Sequence, residues 1–187
     1  MATDRRTLLA DAALGVLADL GVRGLTHRAV DRAAALPDGT TSAYFRTRAA
    51  LLTALVRRLV DLDQAELQST AQEFPPPRTA AELADGFALL ARQRLAGEGR
   101  RRSLARCACV VESVRDPELR EILAPHENAG RTAVRDFLAR HGTPDPEGRT
   151  LTLLACFDGL VLDALVRGDR DVPREALELL VAAALRR

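Results

Sequence analysis

Apolar residues recur along the chain at helical spacing and nowhere alternate over a strand's length, so the pattern predicts an all-α fold. Over residues 5–20, Leu8, Leu9, Ala12, Ala13, Val16, Leu17 and Leu20 form one face of a first helix, and Gly21 is a good stop for it. Thr26 is placed to cap a second helix that turns Ala29, Val30, Ala33 and Ala34 inward. Leu36-Pro37-Asp38-Gly39 reads as a turn into a very short third helix closing near Tyr44-Phe45. Pro37 suits a first helical turn, and Asp38 complements the positive end of that helix. Thr47 can cap a long fourth helix with the stripe Leu51, Leu52, Leu55, Val56, Leu59 and Leu62. It should end near residue 72, because Pro75-Pro76-Pro77 cannot continue it.

Further helices are expected over 79–96 and 101–114, parted by Gly97-Glu98-Gly99. Asp116-Pro117 opens a longer one that runs to about Arg140 and should kink at Pro125, which lacks a backbone donor. After the loop at His141-Gly142-Thr143-Pro144, two last helices cover roughly 147–167 and 173–186, for a total of nine. Residues 151–166 are apolar nearly all round a helical wheel, broken mainly by Thr152, Asp158 and Asp163. A helix with one core-facing side has no need of that. The last helix, with Leu177, Leu179, Leu180, Val181 and Leu185, is similar. Both are expected to bury a second side against a twin, as a two-fold four-helix bundle in a homodimer. The segment is too short and too acidic for a membrane span.

Composition changes this picture little. Apolar residues make up 47% of the 187 residues, enough for a sizeable core, and Ala, Leu and Arg favour helix. The chain holds no Lys; its basic residues are all Arg. Net charge is +1, but residues 1–48 hold seven Arg against five acids, a small local excess of the kind a DNA-reading surface needs. Three cysteines and no signal-peptide pattern lead to an expected cytoplasmic location. Cys107 and Cys109 would face different directions on a helix, and His27, His126 and His141 form no ligand spacing, so neither a metal nor a cofactor is expected. An enzyme would need Cys107, Cys109 or Cys156 as nucleophile with a base such as His126 and a partner such as Glu112; no motif joins them.

Three short helices within the first 45 residues, the second and third joined by a tight turn, make a helix-turn-helix. Gly39-Thr40-Thr41-Ser42-Ala43 supplies a surface of small polar groups, Phe45 should plug the core, and the Tyr44 hydroxyl is left for a phosphate. The stretch Gly24-Leu25-Thr26-His27-Arg28-Ala29-Val30, followed by Gly39 to Leu52 with Ala43-Tyr44-Phe45-Arg46-Thr47-Arg48-Ala49-Ala50, resembles the signature of the TetR (tetracycline-repressor-like) family of regulators. The close match covers about a quarter of the chain. It departs from the usual pattern at Asp38, where a Lys is frequent, at Ser42, where a Tyr is usual, and at Ala43.

The resemblance implies a DNA-binding domain over residues 1–46 and an effector-binding and dimerisation domain over 47–187. It carries DNA contacts onto Thr26, Arg28, Thr40, Thr41, Ser42, Tyr44, Arg46 and Arg48. Of these, Thr26, Tyr44 and Arg48 are expected at phosphates, and Arg28, Thr41 and Ser42 at base edges. An unidentified small-molecule effector is expected among the middle helices, with Phe74, Phe87, Leu90, Cys107, Val110, Val111, Val114, His126 and Phe137 as candidate lining. The implied function is a regulator, a repressor by the family's usual mode, that binds double-stranded palindromic operator DNA as a homodimer and is released by its effector. The alternative is a ligand-sensing helical dimer that has lost sequence-specific DNA binding, prompted by Asp38, Ser42 and Ala43.

Overall fold

A computed structural model describes residues 4–124 and 127–186, and their regular structure is helical throughout. Ten helices follow in order: α1 (Arg5–Gly24), α2 (His27–Ala33), α3 (Thr40–Tyr44), α4 (Arg48–Glu73), α5 (Ala80–Leu95), α6 (Gly97–Ser113), α7 (Pro117–Leu123), α8 (Ala129–Arg140), α9 (Pro146–Arg167) and α10 (Arg174–Leu185). The expected all-α class is present. The additional helix arises where one long helix was expected over 117–140. α7 stops at Leu123, and Asn128 starts α8 afresh, its side chain accepting from the Arg131 amide at 2.9 Å. Pro125 and His126, where the kink was expected, lie outside the described residues.

Local rules account for most boundaries. Thr26, Thr47 and Asp116 each accept a backbone amide at a helix start, from Ala29, Ala50 and Glu118 respectively. Thr79 and Glu82 form a reciprocal capping box at α5. Two boundaries moved. α1 runs past Gly21, whose φ of +66° breaks the helix, and resumes for one more turn to Gly24. α6 begins at Gly97 rather than 101. Gly99 lies inside it, because a Cβ there would fall 1.9 Å from the Gln93 carbonyl oxygen, an approach open only to glycine.

The chain divides into two compact units, one of residues 4–63 with 101–124 and the other of 64–100 with 127–186. The division does not fall after residue 46. In the first unit, Leu51, Leu52, Leu55, Val56 and Leu59 of α4 complete the core that Leu9, Ala13, Leu17, Leu25 and Val30 begin, and Ala105, Cys109 and Leu119 close it. The short N-terminal helices are too small to bury a core by themselves, so they borrow one face of α4 and the apolar side of α6 and α7. Ion pairs tie the same helices: Arg58 of α4 holds Asp11 of α1 at 2.7 Å, and Arg101 of α6 holds Asp19 of α1 at 2.6 Å.

In the second unit α5, α9 and α10 pack on one another and α8 lies on α9. Leu83, Phe87, Ala91, Phe137, Leu138, Leu153, Phe157, Val161, Leu177 and Val181 are buried there. The rings of Phe87 and Phe157 lie 4.8 Å apart, and those of Phe137 and His141 4.2 Å apart. No helix of the described residues is long and apolar enough to cross a membrane.

Candidate nucleic-acid interface

The first unit presents α3, five residues long, on a scaffold made by α1, α2 and α4. A helix this short does not hold itself together in water. Its N-cap is Gly39, at φ +93°, a conformation glycine adopts without strain, and that cap has no side chain to accept the orphan amides of the first turn. Asp31 of α2 supplies the acceptor instead. Its Oδ2 accepts the Gly39 amide at 2.8 Å, and its Oδ1 accepts the Thr41 amide at 2.7 Å and the Thr41 hydroxyl at 2.5 Å. Burial pushes the Asp31 carboxyl up. The three bonds from Thr41 and Gly39, with the His27 imidazole near by, outweigh that and hold it below the ordinary aspartate value.

The other end of α3 is held as well. His27 donates from Nε2 to the Phe45 carbonyl at 2.7 Å, and Arg6 donates to the Tyr44 carbonyl at 3.0 Å with its guanidinium 5.1 Å from the centre of the Phe45 ring. Phe45 itself is buried in the core, as expected, and Tyr44 is exposed. An acceptor at the N-terminal end and two donors at the C-terminal end match the orphan groups that every helix leaves.

This frame decides what α3 shows to solvent. Ser42, Ala43 and Tyr44 are exposed and Thr40 is half-buried. Thr41 is 0% exposed, and its hydroxyl belongs to Asp31. The expectation that Thr41 reads a base edge is therefore corrected: with an inward rotation set by Asp31, it is a core residue. The hydroxyls of Thr40 and Ser42 donate to the carbonyls of Pro37 and Gly39, at 2.7 and 2.8 Å, and their oxygens keep acceptor capacity. Pro37 precedes the helix in the turn rather than standing in its first turn, since α3 starts at Thr40. In α2 the burial also differs from the expectation. Ala33 is exposed at the helix end, while Asp31 takes the inward position.

The remaining expected residues lie at the start of α2, within it, and between α3 and the first turn of α4. Thr26 is exposed; its oxygen caps α2. Arg28 and Arg46 are exposed, and no ion pair or hydrogen bond engages either among the described residues. Arg48, expected at a phosphate, is drawn back to the end of α1, where it donates to the carbonyls of Leu25 at 3.4 Å and Val22 at 2.5 Å. It secures the corner between α1 and α2. Asp31, His27 and Arg6 were not among the sequence candidates. The one signal for Asp31 was an acid two residues after Ala29 on the inward side of α2, followed by the donor-rich Gly39-Thr40-Thr41.

The candidate effector residues fall in both units. Cys107 is half-buried, while Val110, Val111 and Val114 are exposed on α6, Val114 by 69%. Phe87 and Phe137 are ring-packed core residues of the second unit, Leu90 is half-buried and Phe74 is exposed. His126 lies outside the described residues. Cys109 is fully buried, and burial pushes its thiol up to about 12, which leaves it without nucleophilic thiolate at neutral pH. Among the described residues, no three side chains of His, Cys, Asp or Glu gather as a metal site would require.

A profile of the tetracyclin repressor-like C-terminal domain matches residues 78–187. No protein with a curated description matches the chain. Among solved structures, the chain is similar to a transcriptional regulator from Rhodococcus sp. Rha1, at 28% identity and TM-score 0.77, with 97% of this chain and 96% of that one covered. It is similar to a TetR-family member from Streptomyces coelicolor A3, at 25% identity and TM-score 0.72, covering 99% and 100%. The multidrug binding protein EbrR, solved in complex with ethidium, shares the fold at 23% identity and TM-score 0.70, covering 98% and 99%.

Proposed function

The chain belongs to the tetracyclin repressor-like family, and from that premise we propose that it is a ligand-responsive transcriptional repressor. A homodimer binds a roughly palindromic operator and a small-molecule effector releases it. The observation that carries this reading is the surface of α3: small polar side chains face outward from a helix clamped at both ends, with the exposed, unpaired Arg28 on α2 and Arg46 just after α3. Arg28, Thr40 and Ser42 are the base-reading groups, and Thr26, Tyr44 and Arg46 meet phosphates.

Dimerisation is supported by the outer faces of α9 and α10. Leu151, Ala155, Gly159, Leu162 and Val166 fall on one exposed side of α9, and Leu179 is 70% exposed on α10. Large apolar groups left in water over two adjoining helices call for a partner. A twin would set two recognition helices about 34–36 Å apart, one turn of B-DNA. The effector reading draws on the likeness to EbrR with its ethidium. Effector binding favours a form in which α4 tilts, and the tie from Arg58 to Asp11 carries that movement into α1. A hundredfold loss of operator affinity requires about 2.7 kcal/mol of differential effector binding.

The test is a selection of bound genomic fragments by the purified dimer, followed by gel shifts on the selected site. A palindromic motif with salt-dependent, sequence-selective binding is expected. A folded dimer that selects no sequence at low salt would instead favour the ligand sensor without DNA reading, to which the exposed Asp38 beside α3 lends its charge.

A further inference from the structure

We infer that Asp31 is the positioning residue that sets operator preference, by clasping the first turn of α3 and fixing which of its side chains can face a groove. The inference rests on the DNA-binding reading above and adds to it a residue too deep to touch DNA. Asp31 is 0% exposed, so whatever it does for recognition it does through α3.

Three donors converge on its two oxygens, and they come from two different residues of the turn. Oδ2 takes the Gly39 amide, while Oδ1 takes both the amide and the hydroxyl of Thr41. A single bond would leave α3 free to swivel about it. Two oxygens engaged by residues two apart remove that freedom, and the carboxylate's charge strengthens each bond. Successive helical residues lie about 100° apart, so a rotation of one position would bring Thr41 outward and carry Thr40 or Ser42 away from the groove. The clasp therefore selects Thr40, Ser42 and Ala43 as the reading face. At the far end Arg6 and His27 bond the carbonyls of Tyr44 and Phe45. Those contacts resist pulling away of the end, while the rotation is set at Asp31.

Gly39 sharpens the point. With φ at +93° its own side of the turn carries no Cβ, and the helix start has no cap of its own. An acceptor had to come from elsewhere in the fold, and α2 brings it. Asp31 follows the inward Ala29 and Val30, the last buried position before the helix ends.

The test uses the full-length dimer with the selected operator and with a scrambled duplex of equal length. Asp31→Ala removes both acceptors, Asp31→Asn keeps one oxygen, and Thr41→Val removes only the hydroxyl. Circular dichroism establishes the temperature range in which each variant is folded. The ratio of operator to scrambled affinity should fall at least about tenfold in Asp31→Ala and by less in Asp31→Asn, while scrambled affinity changes by less than about threefold. Asp31→Asn, the milder change, carries the test by itself if Asp31→Ala does not fold. Repeated selection should yield a broadened motif for the Asp31 variants, and Thr41→Val, which keeps both backbone bonds, should retain the wild-type motif. An unchanged ratio and motif in folded Asp31→Asn would overturn the role, and so would equal losses on both duplexes, which indicate only a weakened fold. A wild-type dimer that selects no sequence would bring down the DNA-binding reading and this role together. A wild type that selects, beside an Asp31→Asn protein that selects identically, removes the role alone.

Discussion

The short helix α3 and the long helix α9 are opposite solutions to holding a helix in place. α3 has five residues, two of them small hydroxyl residues that bond their own backbone, and it is fixed by side chains from α1 and α2. α9 has 22 residues, starts at Pro146 behind the side-chain cap of Asp145, and ends at Gly168 in the left-handed conformation. Its ends are capped by its own flanking residues, and it carries Phe157 and Leu153 into its unit's core. Its deficit is the reverse one: Leu162 and Val166 stand 47% and 79% exposed on the other side. One helix is completed by polar bonds from elsewhere in the chain; the other carries its own caps and leaves apolar side chains exposed on its outer side. Short helices can therefore be aimed, because others set their orientation, whereas long ones supply area.

Four outcomes break or sharpen that contrast. The largest effect is expected from Leu162→Glu combined with Val166→Glu, which places charge on the exposed side of α9. Sedimentation should show monomer, and operator affinity should drop by at least about a hundredfold as two-site binding is lost; a dimer of unchanged affinity would show that this face is not the interface. Next is Phe157→Ala, which empties a buried position beside Phe87. Denaturant unfolding of the full chain should register a loss of about 3–5 kcal/mol.

A smaller effect concerns acid. The Asp31 carboxyl is held below its ordinary value in the folded chain, so its bonds stabilise the fold fully above the unfolded aspartate pKa of about 3.9 and cease to do so as pH falls through the lower folded value. The stability gap between wild type and Asp31→Asn, measured by urea unfolding at stepped pH, should narrow below about pH 4. A gap that widens there would reverse the sign assigned to the group. The smallest is Ala35→Gly. Ala35 ends the turn after α2 at φ +53°, where a Cβ is strained, so glycine should stabilise the first unit by roughly 0.5–1 kcal/mol after its own chain entropy is counted. A destabilised protein would show that Ala35 is not strained.

Much of this was readable from residue order. Helical spacing marked the buried stripe of α4 at Leu51, Leu52, Leu55, Val56 and Leu59, and capping residues marked Thr26, Thr47 and Asp116. Such features are local, and a window of a few residues contains their cause. The length of α7 was not readable, because helical spacing over 117–140 does not reveal that the cap at Asn128 starts a separate helix. The outward face of α3 was not readable either. Spacing alone places Thr40, Thr41 and Ser42 on three sides of a turn without saying which side is in.

Sequence by itself determined that this chain is helical, where most helices start, and that the segment from Thr26 to Leu52 is a helix-turn-helix, because those properties follow from periodicity, capping and turn chemistry close along the chain. Tertiary structure decided that Thr41 points inward, that Arg48 braces the corner after α1, and that the first unit borrows α4, α6 and α7 for its core. Each of those depends on a partner distant in sequence, ten residues away for Asp31 and Thr41 and 26 for Arg48 and Val22, and such pairings exist only once the helices have packed.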